Sequence, residues 1–292
     1  MPPPRVLTIG QFSDSAVLHA FRPRCRIAAA NIEFETARVP SSPDQFAWLR
    51  DGVIDIAITS PDNVLLYATT DQQPLGERLD IRMVRSIDRG LGLALFSRAE
   101  IETVDDLKGR EVGVDVVRSG FALLLFRILA QQGITRDDVI FVELGATPKR
   151  LLAVLEGDAA ATILNAESRV SAQTAGLKEW GSSSNISTSY LGTVLAVRSD
   201  FDPDLAELIK SMWTTATTWL LNAPTDQVIA VLEARNSALG TEGYVALLRD
   251  PRFGLLEDPR ISVDDLQELA RIRRESGAYT PDSASIAALA SA

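Results

Sequence analysis

Apolar and polar positions along the chain alternate between two rhythms, one close to two residues and one close to 3.6, the periods of strand and helix. Residues 5–9 read as a first strand, and Ser13 or Asp14 then caps a helix through Val17, Leu18 and Phe21 that Pro23 stops. Residues 32–39 alternate as a second strand leading to a helix capped near Ser41 or Ser42. Residues 55–59 are an apolar run suited to a strand buried on both faces, and Ser60 and Pro61 open the next helix as cap and first residue. Residues 81–87 and 91–97 read as strands separated by a solvated turn at Asp88, Arg89 and Gly90.

A second series starts at Ile101. Residues 104–110 form a short helix or turn, residues 111–116 a strand, and Ser119 and Gly120 open an apolar helix ending at Gly133. Strands are predicted over 139–143 and 160–164, a helix over 147–156, and another from Asn165 to near Gly176. Residues 190–197 read as a strand that crosses back. From Asp202 onward the pattern is helical, over 205–222, 225–238, 242–248 and 263–276, with a small, polar, loosely packed tail after Ala278. Trp213 and Trp219 read as core residues of the long helix. Strands alternating with helices define an α/β protein.

Residues 48–58 and 154–163 are near copies: the end of an amphipathic helix, a glycine (Gly52, Gly157), a short polar step and an apolar run. Glycine just past a helix takes the left-handed conformation cheaply and so ends it. One such unit in each half predicts two similar lobes with a cleft between them, a common place for a small ligand.

With 292 residues the chain has length for two domains, and 46% apolar with 23% charged residues is a globular composition. A formal charge of −10, with arginines scattered among acids, argues against nucleic acid as a partner. The densest basic cluster, Arg271, Arg273 and Arg274, falls near a helix C-terminus, where cations complement the dipole. Cys25 and His19 are the only residues of their kinds, so no internal disulfide and no Cys/His zinc site is expected, nor any cofactor. As inert thiol and packed or surface imidazole, neither is a leading catalytic candidate. No run approaches the ~20 apolar residues of a membrane span. The first residues have no signal-peptide pattern, so the chain as written reads as cytoplasmic, or periplasmic if a leader has been removed.

Residues 101–114, with Leu107, Lys108, Gly109, Val112, Gly113 and Val114, resemble the D-L-K-G-K…V-G-V segment that opens the second lobe of type II periplasmic solute-binding proteins. The nearest resemblance is to the nitrate, sulfonate and taurine group and its thiamine-precursor relatives. Gly52, Ile54, Asp55, Ile56 and Ala57 resemble that group's first-lobe G-x-I-D-I-A, and Gly157, Asp158 and Ala161 its second-lobe counterpart. The resemblance runs over about residues 5–276 and implies a two-lobed α/β fold with a helical C-terminal part. Lobe I would be 1–95 plus 198–292 and lobe II 96–197, hinged at 93–97 and 193–198. It further implies that residues at helix starts facing the cleft hold the ligand. By position these are Gln11, Phe12 and Ser13, then Ser60 and Asn63, then Arg118, Ser119 and Gly120, then Asn165 and Glu167, with Tyr190 near a hinge.

Helix N-termini carry unpaired amide donors and partial positive charge, so several converging on one cleft favour a carboxylate, sulfonate or phosphate group. Arg118, Ser119 and Gly120 offer a fork, a hydroxyl and room for close approach, though Ser60 and Ser119 are equally apt as plain helix caps. The leading expectation is capture of a small anionic or zwitterionic solute for an ABC-type permease, by closure of the lobes. The alternative is a cytosolic enzyme on the same scaffold, desulfinase-, decarboxylase- or pyrimidine-synthase-like, although the sequence offers no paired acid and base that demand it.

Overall fold

Both glycine stops adopt the conformation their context requires, with φ of +71° at Gly52 and +93° at Gly157. The computed structural model describes residues 3–21 and 31–290, so Pro23 and Cys25 lie outside the described residues. The strands are β1 (Arg5–Gln11), β2 (Ile32–Arg38), β3 (Ile56–Thr59), β4 (Ile81–Asp88), β5 (Ala94–Ser97), β6 (Glu111–Val114), β7 (Ile140–Glu143), β8 (Ala161–Leu164), β9 (Lys178–Ser182) and β10 (Thr193–Arg198). They form two five-stranded sheets, ordered β2-β1-β3-β10-β4 and β7-β6-β8-β5-β9. In each sheet the first three strands are parallel and the fourth is antiparallel to its neighbours. The sheets therefore share one topology, and each antiparallel strand has come across from the other half.

The helices are α1 (Ala16–Phe21), α2 (Ser42–Arg50), α3 (Pro61–Thr69), α4 (Gly120–Gln131), α5 (Thr147–Glu156), α6 (Ala166–Thr174) and α7 (Ser183–Ile186), followed by α8 (Pro203–Asn222), α9 (Thr225–Glu233), α10 (Glu242–Arg249), α11 (Val263–Glu275) and α12 (Ser283–Ala290). The near-copied units become α2–Gly52–β3 and α5–Gly157–β8, which occupy equivalent places in the two sheets. Helices α1, α8, α9 and α10 pack with β1 and β10 around Trp213, which is fully buried, and Trp219 is partly buried against the same cluster. A second core joins α3, α4 and α11.

The structure departs from the sequence reading at several points. Both strands taken as hinges lie wholly inside a sheet, β5 in the second and β10 in the first, so the crossings are the segments 89–93 and 187–192. We therefore place the lobe limits at those segments rather than at 95 and 198. Asp88 is not a solvated turn residue: it is buried, and its carboxylate accepts the N–H groups of Gly90 (2.8 Å) and Leu91 (2.9 Å), which fixes the first crossing. Strand β9 went unforeseen, because Lys178, Glu179 and Gly181 break the apolar pattern at this sheet edge. The tail is not loose. Helix α12 buries Ile286 and Leu289 and packs on α11, α3 and β4. Arg273 does fall in the last turn of its helix, α11, but its charge is buried and ion-paired with Asp62 at 2.6 Å.

Candidate ligand-binding cleft

Six helices begin where a parallel strand ends: α1 after β1, α2 after β2, α3 after β3, α4 after β6, α5 after β7 and α6 after β8. In open α/β sheets ligands bind outside the carboxyl ends of the strands, where such helix N-termini point. Here the first residues of the helices α2 to α6, or their caps, line one cavity of about 90 Å³: Ser42, Ser60, Ser119, Thr147 and Asn165. Phe12, Ile58 and Phe121 give it an apolar wall. An adjoining cavity of about 100 Å³ shares Ser13, Ile58, Phe121, Asn165 and Thr193, and extends the cleft toward Asp14, Asp88 and Glu167.

Three caps do two things at once. Ser60 Oγ accepts the Asp62 N–H (3.3 Å), Ser119 Oγ that of Ala122 (3.2 Å), and Asn165 Oδ1 that of Ser168 (3.4 Å). Each residue also borders the cavity, so capping and facing a ligand are compatible here. The two halves touch through polar pairs. Asn165 Nδ2 donates to Ser13 Oγ at 2.7 Å, the Gly120 N–H donates to Asn63 Oδ1 at 3.2 Å, and Ser42 Oγ donates to Asp115 Oδ2. At Gly120 the halves pack tightly, since a Cβ there would stand 2.8 Å from Ser60 Oγ and 2.7 Å from Asp62 Cβ.

Arg150 supplies the fixed charge. It stands one turn into α5, is 1% exposed, and donates to Gly145 O (2.6 Å), Thr147 Oγ1 (2.9 Å) and Ile163 O (3.1 Å). Burial pulls its pKa down to about 10, against the attraction of Asp115, so it remains a cation at neutral pH. Three atoms on lining residues are buried without a partner: Arg150 Nε, Thr59 Oγ1 and Asp115 Oδ1. Buried polar atoms are normally paired, and these mark where a ligand's own groups would be satisfied.

Of the sequence candidates, Phe12, Ser13, Ser60, Asn63, Ser119 and Asn165 meet in the first cavity, and Glu167 in the second. Gly120 is wedged against Ser60 rather than open to the cavity. Three lie elsewhere. Gln11 alternates to the other side of β1 from Phe12, donates to Asp14 Oδ1 (3.4 Å) and lines a hollow with His19 and Arg235. Arg118 is exposed and turned outward by the tight turn in which the Ser119 N–H bonds Val116 O, into a hollow shared with Val117, Arg136 and Tyr279. Tyr190 is buried behind the cleft beside Gly90, where burial and the Asp62 and Asp88 carboxylates raise its pKa.

Sequence reasoning missed Ser42, Thr59, Asp115, Phe121, Thr147 and Arg150. These residues include the starts of α2 and α5, the helices of the repeated helix–Gly–strand unit, whose equivalence in the two sheets is the signal that points to them. A larger hollow of about 1030 Å³ lies away from the starts of α2 to α6, and its charges pair with local acids: Arg89 with Asp265, Lys210 with Glu207, Arg260 with Asp258, Arg271 with Glu268.

Two like sheets with helix starts converging on one buried guanidinium define a periplasmic-binding-protein fold. The sequence profile of the family described as "ABC transporter, phosphonate, periplasmic substrate-binding protein" matches residues 28–238, so the chain belongs to that family. Among solved structures it is similar to the alkanesulfonate-binding protein SsuA of Xanthomonas axonopodis pv. citri bound to MOPS, at 16% identity over 99% of each chain with a TM-score of 0.78. It is also similar to the periplasmic aliphatic sulphonate binding protein SsuA of Escherichia coli (17% identity, 97% of this chain and 91% of that one, TM-score 0.67). A third likeness is the CA3427 gene product of Candida albicans, at 16% identity over 99% and 94% of the chains, TM-score 0.69. At such identities the likeness is one of fold. No curated protein sequence matches. Among the described residues no helix is long and apolar enough to cross a membrane.

Proposed function

We propose that the chain is the solute-receiving component of an ABC-type importer, working outside the cytoplasmic membrane, and that it traps a small oxyanion between its lobes. The observation that carries this is Arg150, a buried cation in the same cavity wall as five helix starts. An oxyanion there takes the guanidinium charge, the free Nε–H and the positive ends of the helices together. Family membership supports an ABC permease as partner and a phosphonate head as ligand, and the sulfonate-binding proteins of like fold add a sulfonate head as the other candidate.

A thermal-shift screen of alkylphosphonates, alkanesulfonates, nitrate and carboxylates tests the reading. A ligand at a hundred times its Kd stabilises the folded state by about 2.7 kcal/mol, a rise of roughly 5 °C or more for a chain of this size. The expected result is such a rise for at least one oxyanion, lost in Arg150→Met. A flat response to the whole panel would overturn the proposal.

A further inference from the structure

Asp115 is an unexpected wall for an anion. It follows β6 directly, is 7% exposed, and lines the cavity together with Arg150 and Thr147. Its Oδ2 is engaged by the Ser42 hydroxyl, while Oδ1 is buried with no donor. The other polar residues around the cavity, Arg150, Thr59, Thr147 and the helix starts, can all donate. A ligand oxygen without a hydrogen would therefore set lone pairs against lone pairs at Asp115. An oxygen that carries a proton would make the missing bond.

Phosphonates and sulfonates differ in this respect. An alkylphosphonate keeps one P–OH in its monoanion, whose second ionisation falls near neutrality, whereas an alkanesulfonate is fully ionised and has no proton to give. For a sulfonate to sit here the carboxyl itself must be protonated; burial raises its pKa in that direction, against the Ser42 hydrogen bonds and the Arg150 charge, and a P–OH makes the bond without that protonation. We infer that Asp115 is a specificity-determining residue, accepting a hydrogen bond from the P–OH of a monoprotonated phosphonate and excluding a sulfonate of the same shape. The inference rests on the anion-cleft reading above. It also separates the two ligand classes that family membership and fold likeness leave side by side.

Titration calorimetry on the full chain near neutral pH, with methylphosphonate and methanesulfonate, tests it. The expected preference for the phosphonate is on the order of tenfold or more, the usual cost of leaving a buried charged acceptor unpaired. In Asp115→Asn the amide donates instead of accepting, so sulfonate affinity should rise and phosphonate affinity fall. The phosphorus NMR shift of bound methylphosphonate gives a readout that needs no variant: the ligand should stay a monoanion at pH values where the free compound is a dianion. Equal affinities in the parent chain, equal losses for both ligands in Asp115→Asn, or a bound dianion would overturn the inference while leaving the anion cleft intact. Binding of 2-aminoethylphosphonate without methylphosphonate would overturn it too, by making the partner of Asp115 an ammonium. Failure of all three compounds to bind would instead fault the anion-cleft reading.

Discussion

Arg150 holds three protein acceptors with its terminal nitrogens and leaves Nε free, so its charge and its shape can be separated by substitution. Arg150→Lys keeps the cation but loses the planar fork, and we expect ligand affinity to fall roughly tenfold to a hundredfold, with Tm lowered as Gly145 O or Ile163 O loses its donor. Calorimetry and a melting curve on the same sample check both halves of that statement. At the other end of the cleft Glu167 accepts from the Asp14 N–H (3.2 Å) and Asn236 Nδ2 (3.1 Å). Burial raises its pKa, and neighbouring Asp14 adds to the rise, against Asn236 and Arg38. A carboxyl with a raised pKa folds best when protonated: its stabilisation is full below the unfolded-state value and is lost as pH climbs through the folded-state one. Glu167→Gln should therefore gain stability relative to the parent between about pH 4 and neutrality. Denaturant midpoints across that range check it, and a constant difference would contradict it. Single residues of this kind were only partly legible in the chain. A serine before a proline announces a helix start, but nothing local tells that an arginine one turn into α5 is buried.

At the scale of elements, the alternating segments were readable because their periods are clean, and the caps at Ser41, Ser60, Ser119 and Asn165 mark helix starts in the sequence and in the structure alike. What failed were elements whose burial depends on distant chain. Helix α12 looks like a polar extension until Ile286 meets α11 and α3, and Arg273 looks like a dipole-complementing surface cation until Asp62 arrives from residues far back in sequence. The Arg273–Asp62 pair, 1% and 3% exposed, has no water to fall back on. Arg273→Met alone should cost about 3–5 kcal/mol, because it strands a buried carboxylate, whereas the double variant Asp62→Leu/Arg273→Met should recover most of that loss. Urea unfolding of the single and double variants decides. If the single change costs no more than an exposed ion pair, up to about 1 kcal/mol, the pairing is not what anchors α11.

For the whole molecule, the doubled helix–Gly–strand unit was the most informative part of the sequence, since one recurrence gave both sheets and the cleft between them. The sequence could not say where the chain passes from one sheet to the other, because β5 and β10 pair antiparallel inside sheets built by the opposite half. Closure depends on Gly120, whose bare Cα lets α4 come up against Ser60 and Asp62. Gly120→Ala should hold the halves apart, giving a larger radius of gyration by small-angle scattering and weaker ligand binding, with secondary structure by circular dichroism unchanged. A variant that is as compact and binds as tightly as the parent would show that the approach is not needed. Helix α11 adds something the two crossings do not. On one side Glu275 pairs with Arg127 of α4 (2.7 Å) and Ser276 O accepts from Arg136 (3.3 Å); on the other, Arg273 holds Asp62 and the Tyr279 hydroxyl donates to Thr69 O (3.0 Å). The C-terminal segment is thus a third tether between the halves, made of contacts rather than chain, and it must give way on one side each time the mouth gapes. Its strength sets a toll on release more than on entry, so a protease nick in this segment should shorten the residence time of the trapped solute while leaving its rate of arrival nearly untouched.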